Sequence, residues 1–420
     1  MIEKYTLDNG VRVIVEKIPT VRSVALGIWV GTGSRHEEAG NNGISHFTEH
    51  MLFKGTKSRS AKEIAESFDH IGGHVNAFTS KEYTCYYARI LDEHAPLALD
   101  ILADMFFHST FDEEEITKER KVVIEEIKMY DDTPDDLVHD LIAKASFQNN
   151  PLGYSILGTE DVLNTFTRDT LIDYVEQRYT PSNLVITAAG NVSDQLLDSI
   201  QSYFSTFSRE LKPSSGALDA RDFDSTVRIR QKETEQAHLC LAFPGLEIGN
   251  EDIYSLILTN NILGGSMSSR LFQEVREQRG LAYSVFSYHS SFKDNGMFTV
   301  YAGTAPHQLE EMYKVITSTL QQLKRDGMSA DELKKGKEQL KGSLMLSLES
   351  TNSRMSRLGK NELLLGKHLT LDEILERVDQ VSLEHVRSTI FKVLDNKMSI
   401  ALVSPFEQLP ATFNQKDLLS

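Results

Sequence analysis

Alternating hydrophobic and polar positions open the chain. They flank a turn at Asp8-Asn9-Gly10 and predict a β-hairpin over residues 3–17. A continuous apolar segment from Val24 to Val30 predicts a further strand. Two more β-rich segments, joined by a polar turn, predict a second hairpin over residues 74–90. The beginning of the chain is therefore expected to form a mainly antiparallel sheet.

Apolar residues at helical spacing separate and follow these strands, and they predict helices with one buried face. The predicted helices cover a short segment between Gly43 and Gly55 and residues 61–71, 94–107, 112–131, 135–147, 168–178 and 193–205. Residues 182–190 form a predicted strand.

A polar segment at residues 208–223, which contains Pro213 and Gly216, predicts a linker. After it a similar order of elements begins again. Strands are predicted at 227–232, 238–243, 282–292, 296–304 and 398–403, and helices at 251–263, 268–278, 306–325 and 329–349. This repetition predicts an N-terminal half at residues 1–207 and a C-terminal half at residues 224–420. The expected fold class is α+β, with two homologous halves that face each other as a clamshell around a cavity. Each half is a mainly antiparallel sheet with helices packed on one face.

Composition narrows the range of partners. A net charge of −17 argues against nucleic acid and suits a basic peptide. No apolar segment is long enough to predict a membrane span, and the N-terminus lacks the pattern of a signal peptide. Only Cys85 and Cys240 occur, which favours a reducing, cytoplasmic location and leaves histidines and carboxylates as metal ligands.

The sequence His46-Phe47-Thr48-Glu49-His50 lies in the short helix between Gly43 and Gly55. Helical positions four apart differ by about 40° around the axis, so the two imidazoles point the same way and suit one zinc ion. Glu49 lies near the same rim, where a carboxylate that is not a ligand can deprotonate a zinc-bound water. The alternative is a helix with two hydrogen-bonded histidines and a surface glutamate.

A catalytic zinc site needs a third protein ligand and an open position. The helix at 112–131 carries Glu119 and Glu126 at the edge of its apolar face, about 20° apart around the axis and about 10 Å apart along it. Glu125 is rotated by about 100° toward the exposed side. These positions leave Glu119 and Glu126 as near-equal candidates, and ordinary solvated carboxylates are the alternative for both.

These motifs together resemble the pitrilysin/insulin-degrading enzyme (inverzincin) family of zinc peptidases. The resemblance rests on HFTEHMLFKGT and ERKVVIEEIKMYDD, with 75 residues between His50 and Glu126, and on NAFTSKEYTCYYARI, YTPSNLVITAAGNV and SSRLFQEVREQRGLAYSV. The chain is most similar to bacterial processing-protease-like members and to the β subunit of the mitochondrial processing peptidase. The resemblance implies that His46, His50 and Glu126 bind one Zn²⁺ per chain, that Glu49 is the general base and that Glu119 supports the site without binding the metal.

The resemblance also assigns residues of the second half. Arg276 and Tyr283 match an arginine and a tyrosine that reach the substrate near the zinc, and Arg279 is an alternative for the arginine. Without the resemblance, a surface arginine and a core tyrosine would be the simpler interpretations. If the two halves are aligned at Gly55 and Gly265, the positions of the metal motif hold no set of ligands. They are Leu256, Thr259 and Asn260.

A peptide substrate needs a docking surface, and an exposed strand edge can bind peptide backbone regardless of side chains. The segment from His74 to Phe78 is the candidate edge, because Gly72-Gly73 before it permits close approach. Asn76 and Ala77 are expected to flank the scissile residue. Core packing is the alternative role for Phe78.

The sequence thus predicts a zinc-dependent metalloendopeptidase that hydrolyses oligopeptides or unfolded, presequence-like segments enclosed between its halves. A homodimer is expected, with no nucleic acid or membrane as partner. The alternative is a non-catalytic peptide-binding or structural relative of the same fold.

Overall fold

The computed structural model of the protein describes residues 2–148, 150–209 and 223–419. Most of the predicted linker at 208–223 lies outside the described residues. Strands β1–β6 are Ile2–Thr6, Arg12–Lys17, Ser23–Val30, His74–Thr79, Thr84–Leu91 and Leu184–Gly190. Helices α1–α8 are Ile44–Leu52, Ala61–His70, Ala95–His108, Glu113–Asp131, Pro134–Ser146, Glu160–Leu163, Arg168–Arg178 and Asp194–Phe204.

The later part of the chain repeats this mixture of elements. Strands β7–β11 are Val227–Gln231, Ala237–Pro244, Ala282–Ser291, Gly296–Thr304 and Ser399–Ser404. Helices α9–α14 are Ile253–Leu263, Leu309–Asp326, Ala330–Ser347, Thr351–Leu365, Leu371–Gln380 and Leu383–Leu394. The helix predicted at 268–278 contains a π-helix, Phe272–Glu277. The elements expected from the sequence leave residues 350–397 unassigned, and there the structure has α12, α13 and α14.

Two sheets share one strand order. The first runs β1-β2-β6-β3-β5-β4 and the second runs β7-β11-β8-β10-β9. The pairs β2/β6 and β7/β11 are parallel, whereas the other pairs in both sheets are antiparallel. When β1 is set aside, the remaining strands correspond one to one, so the predicted duplication is confirmed at the level of topology.

Alternation along the strands produces two buried faces in the first sheet. Val13 and Val15 point into the main core, which also receives apolar residues of α1, α2, α3, α4, α7 and α8. Ile14 points to the opposite face with Ala25, Trp29 and Cys85, where Met355 and Leu358 of α12 pack against them. Gly359 allows this approach, since a Cβ atom there would lie 2.1 Å from Trp29 Cε2.

The second sheet is covered on both faces in the same way. Its main core receives α9, α10 and α14, and α5 covers the other face, where Val138 and Ile142 pack near Cys240 and Val403. The sequence predicts helices on one face of each sheet. This holds for most of the helices, but both faces of each sheet are covered. In each sheet a single further helix covers the second face.

The helix that covers the second face of each sheet comes from the other half of the sequence. The N-terminal unit comprises the described residues within Met1–Lys128, Tyr154–Asp219 and Ser347–His368, and the C-terminal unit those within Met129–Gly153, Ala220–Leu346 and Leu369–Ser420. The contiguous halves predicted at 1–207 and 224–420 need this correction, because α5 packs with the later unit and α12 with the earlier one. No helix in the described part of the chain is both long and apolar enough to cross a membrane.

Candidate metal centre

The N-terminus of helix α1 is fixed by a tight backbone contact and a capping carboxylate. Gly43 adopts a positive φ of 96°, and a Cβ atom there would lie 2.7 Å from the carbonyl oxygen of Leu157. The buried carboxylate of Glu37 accepts hydrogen bonds from the backbone N–H groups of Gly43 and Ser45, at 2.8 and 2.9 Å. A carboxylate at this position satisfies the free N–H groups of the first turn and suits the helix dipole. These contacts fix where α1 starts and so where its histidines lie.

His46 and His50 lie on one side of α1, as their spacing predicts. Their Nε2 atoms are 3.2 Å apart. Glu126 of α4 faces this pair, with its carboxylate oxygens 3.9 Å from His46 Nε2 and 3.6 Å from His50 Nε2. The three ligand atoms lie within 4.8 Å of one another, and among the described residues they form the one such group.

This donor set fits zinc. Two ligands that are each about 2.0–2.1 Å from a tetrahedral zinc ion lie about 3.3 Å from each other, close to the distances between these atoms. Burial and the neighbouring His50 lower the pKa of His46 to about 3, so this imidazole is neutral at pH 7. A neutral imidazole has the lone pair that a metal requires.

Glu119 of α4 lies on the far side of the His50 imidazole from Glu126. Its Oε1 atom is 2.7 Å from His50 Nδ1, so it binds the ring nitrogen that faces away from Glu126. Burial alone would lower the pKa of His50, but the hydrogen bond to Glu119 and the nearby carboxylates outweigh burial and raise it. The structure thus separates two glutamates that the sequence leaves as near-equal candidates.

Glu49 lies beside the candidate metal group and is partly buried. Burial raises the pKa of its carboxyl group. Thr79 Oγ1, at the end of β4, donates a hydrogen bond to Glu49 Oε2. The carboxylate is therefore held in one orientation by the strand that was predicted to bind substrate.

Strand β4 is an edge strand. It pairs with β5 and is the last strand of its sheet. His74 and Asn76 are exposed on it, and the Asn76 side chain accepts a hydrogen bond from the N–H of Ala77 at 2.8 Å. Phe78 packs against Trp29 with ring centroids 5.7 Å apart, which agrees with the packing role considered for it.

Comparison with known proteins identifies the family. Residues 12–160 match the model of the insulinase family, peptidase family M16, and residues 165–340 match the peptidase M16 inactive domain. A Bacillus subtilis protein named uncharacterized zinc protease YmxG is 59% identical over 98% of this chain and 100% of its own length. This chain belongs to peptidase family M16. The resemblance to insulin-degrading enzymes is therefore confirmed.

A further relative and two solved structures extend the comparison. A Streptomyces coelicolor protein named as an uncharacterized zinc protease is 42% identical over 98% of this chain and 91% of its own. A protease from Helicobacter pylori has a TM-score of 0.90 at 21% identity, covering 96% of this chain and 99% of that one. The M16 inactive domain structure from Pseudomonas fluorescens has a TM-score of 0.89, also at 21% identity, covering 97% and 100%. The predicted two-half α+β fold is confirmed.

The C-terminal unit of this M16 chain brings Arg276 and Tyr283 together. The Arg276 guanidinium carbon lies 4.5 Å from the Tyr283 ring centroid and 4.7 Å from that of Phe272 on its own π-helix. Tyr283 is 76% exposed and is not the core residue that was its alternative. Both arginines have an acidic neighbour, Arg279 at 2.5 Å from Glu274 and Arg276 at 3.7 Å from Glu277, and Arg276 is the one that stacks on the tyrosine ring.

The positions of the C-terminal unit that correspond to the metal motif hold no metal set. Thr259 donates a hydrogen bond to the carbonyl oxygen of Ser255, and Asn260 Oδ1 accepts one from Ser287 Oγ. Leu256 is buried in the core. These three side chains are therefore engaged in packing and hydrogen bonds within their own unit.

Sequence reasoning missed three residues whose side chains support or contact members of the candidate metal centre. They are Glu37, Thr79 and Lys54, whose Nζ atom lies 2.6 Å from Glu119 Oε2. Glu37 caps a helix that starts seven residues later, and Thr79 meets a residue 30 positions away. No helical or strand spacing marks such pairs. Lys54 alone carried a signal, because it follows His50 at the i+4 spacing of one helical face.

Proposed function

We propose that this M16 protein is a zinc-dependent endopeptidase, with one zinc ion per chain held by His46, His50 and Glu126. The observation that carries the proposal is the convergence of two imidazole Nε2 atoms and one carboxylate within 4.8 Å, beside a partly buried glutamate that is not part of the set. The names of the relatives, zinc proteases from Bacillus and Streptomyces, support it.

Zinc held by His46, His50 and Glu126 would supply a Lewis acid that activates water and polarises a carbonyl. The role of Glu49 is to accept a proton from the attacking water and to deliver it to the leaving amine. Its raised pKa suits a group that must hold a proton briefly. Thr79 orients the carboxylate, and Glu119 orients the His50 ring.

The substrate of this proposal is an extended peptide that adds to the edge of β4. Backbone pairing needs no particular sequence, so short peptides and unfolded segments are the expected substrates. His74, Asn76, Ala77 and Phe78 line this strand, and Arg276 and Tyr283 are assigned as further substrate contacts. The net charge of −17 favours basic peptides.

One observation favours a second candidate, a peptide-binding relative without turnover. Residues 165–340 match a domain model that is described as inactive. The first half retains all the elements of a metal centre, and this is why the peptidase is preferred.

The substitution Glu49→Gln separates the two candidates. We expect the variant to keep stoichiometric zinc, because Glu49 is not a ligand, and to lose cleavage by at least about 100-fold, the usual contribution of a general base. Metal analysis and a quenched fluorescent peptide measure the two quantities. The matched control is Glu66→Gln, which alters an exposed carboxylate on α2 and should change neither.

Retained cleavage in Glu49→Gln would exclude Glu49 as the base. A zinc-loaded unmodified protein that binds peptides from a diverse library but cleaves none would favour the second candidate.

Assembly and location belong to the same proposal. We expect a homodimer, which light scattering coupled to size-exclusion chromatography would measure. Cys85 and Cys240 are both buried and free, which suits a reducing compartment such as the cytoplasm.

A further inference from the structure

Lys54 lies just beyond α1 on the side of His50. The backbone N–H groups of Phe53 and Lys54 bond the carbonyl oxygens of His50 and Met51, each at 3.1 Å, so the chain continues to turn past the helix end. Within this continued turn, His50 and Lys54 both reach one residue of α4.

That residue is Glu119, and its two oxygens have different partners. Oε1 lies 2.7 Å from His50 Nδ1, and Oε2 lies 2.6 Å from Lys54 Nζ. A carboxylate held at both oxygens has little freedom to rotate. The Nδ1–H group that donates to it is fixed in direction, and the Nε2 lone pair on the opposite side of the ring is fixed with it.

Burial of Glu119 gives its ion pair with Lys54 an energetic role. The side chain of Glu119 is 6% exposed and that of Lys54 is 29% exposed. A buried carboxylate is costly unless it is paired, and a neutral imidazole N–H compensates for its charge only in part. Lys54 supplies the full positive charge while its own side chain remains partly exposed.

We propose that Lys54 is a positioning residue of the metal centre, acting through Glu119 to hold the His50 ring in its metal-binding orientation. Lys54 touches neither substrate nor metal in this role. The inference rests on the proposed zinc site, and it adds a third member to the pair formed by His50 and Glu119.

A double-mutant cycle on the full-length chain tests this inference by zinc affinity rather than by activity. The variants are Lys54→Met, Glu119→Gln and the two combined, with the zinc dissociation constant measured by competition with a chromogenic chelator. Loss of an outer partner of a metal-binding histidine typically weakens affinity by about 10- to 100-fold, and we expect Lys54→Met to fall in this range. In the Glu119→Gln background the same substitution should add less than about 2-fold, because its route to His50 is already broken.

Two further variants separate positioning from general effects. Lys54→Arg keeps a cation in reach of Glu119 and should restore affinity to within about 3-fold of the unmodified chain. Lys57→Met removes an exposed cation from the same segment and should leave zinc affinity unchanged. Circular dichroism of each variant checks that the fold is retained.

Several results would overturn the inference. Unchanged affinity in Lys54→Met would do so, as would an equal loss with and without Glu119, or a loss that Lys54→Arg fails to restore. If the unmodified protein binds no stoichiometric zinc, the proposed function itself fails, and the two failures are thereby distinguished.

Discussion

At the scale of single residues, His50 is the centre of the site because it presents its two ring nitrogens to two carboxylates of one helix. Glu126 faces Nε2 and Glu119 faces Nδ1, and the two glutamates are seven positions apart on α4. The imidazole ring and its contacts with the two carboxylates together span the distance of about 10 Å that separates two such positions. One helix thus supplies both a prospective ligand and the group that orients another ligand.

This arrangement predicts unequal effects of two similar substitutions. Glu126→Gln should raise the zinc dissociation constant by more than about 100-fold, since it removes a charged ligand, whereas Glu119→Gln should raise it by about 10- to 100-fold. Chelator competition on both variants provides the comparison. Glu125→Gln, an exposed neighbour on the same helix, is the control. A greater loss in Glu119→Gln would show that the ligand has been assigned to the wrong glutamate.

The histidine pair could be predicted from the sequence because helical spacing is local. The choice between Glu119 and Glu126 could not, because it depends on how far along α4 the first helix packs. That distance is set by contacts remote in sequence, such as the hydrogen bonds of Arg120 to the carbonyl oxygens of Leu163 and Phe166. The family resemblance supplied what spacing could not.

At the scale of elements, α1 is held at both ends by buried carboxylates. Glu37 caps its start, and Asp104 of α3 anchors the segment after it by accepting hydrogen bonds from Thr56, Ser58 and Arg59, each at 2.7 Å. Burial opposes the charge on Asp104, but these donors and His108 outweigh it and lower the pKa to about 2. The segment that follows α1 is therefore anchored by a carboxylate that stays charged in mild acid.

Asp104→Asn should destabilise the protein in a pH-dependent way. A pKa that is lower in the folded state contributes stability above the unfolded value near 4, and this contribution is lost as the pH falls toward 2. The expected loss is about 2 kcal/mol at pH 7 and about 1 kcal/mol at pH 3. Urea denaturation at the two pH values measures it, with the exposed Asp69→Asn as control. An equal difference at both pH values would contradict the role of the charge.

Most elements up to residue 349 follow their periodicity, and their bounds agree with the predicted ones within a few residues. The missed helix α12 does not show this periodicity clearly. Its buried face includes the small residue Gly359 and the polar Glu362, so its apolar stripe is weak. Glu362 is buried because Lys4 and Arg12 pair with it at 2.8 and 3.3 Å, partners that no local pattern reveals.

At the scale of the whole molecule, the two units are defined by exchanged helices rather than by a single boundary. Residues 1–209 contain α5, which packs on the second sheet, and lack α12, which covers the first. Ile14 and Trp29 would each lose burial of about 2 kcal/mol in such a fragment, against a total stability of about 5–15 kcal/mol for a typical protein. Neither half is therefore expected to be stable alone.

Fragment complementation tests this expectation. Residues 1–209 expressed alone should be insoluble, whereas co-expression with residues 223–420 should give a soluble complex, because each fragment supplies the helix that the other needs. Size-exclusion chromatography detects the complex. A C-terminal fragment with Gly359→Leu should fail to rescue, since even a Cβ atom there meets Trp29. Soluble, folded residues 1–209 without a partner would disprove the dependence.

Each of the two exchanged helices covers a buried cysteine, whose thiol can report detachment of that helix. Cys85 lies in the face that α12 covers, and Cys240 lies in the face that α5 covers. Both thiols are fully buried, and burial raises the pKa of each well above its usual value, so neither reacts with alkylating reagents while its helix is in place. The labelling rate of Cys85 therefore measures how often α12 detaches, and that of Cys240 measures the same for α5, without any engineered probe.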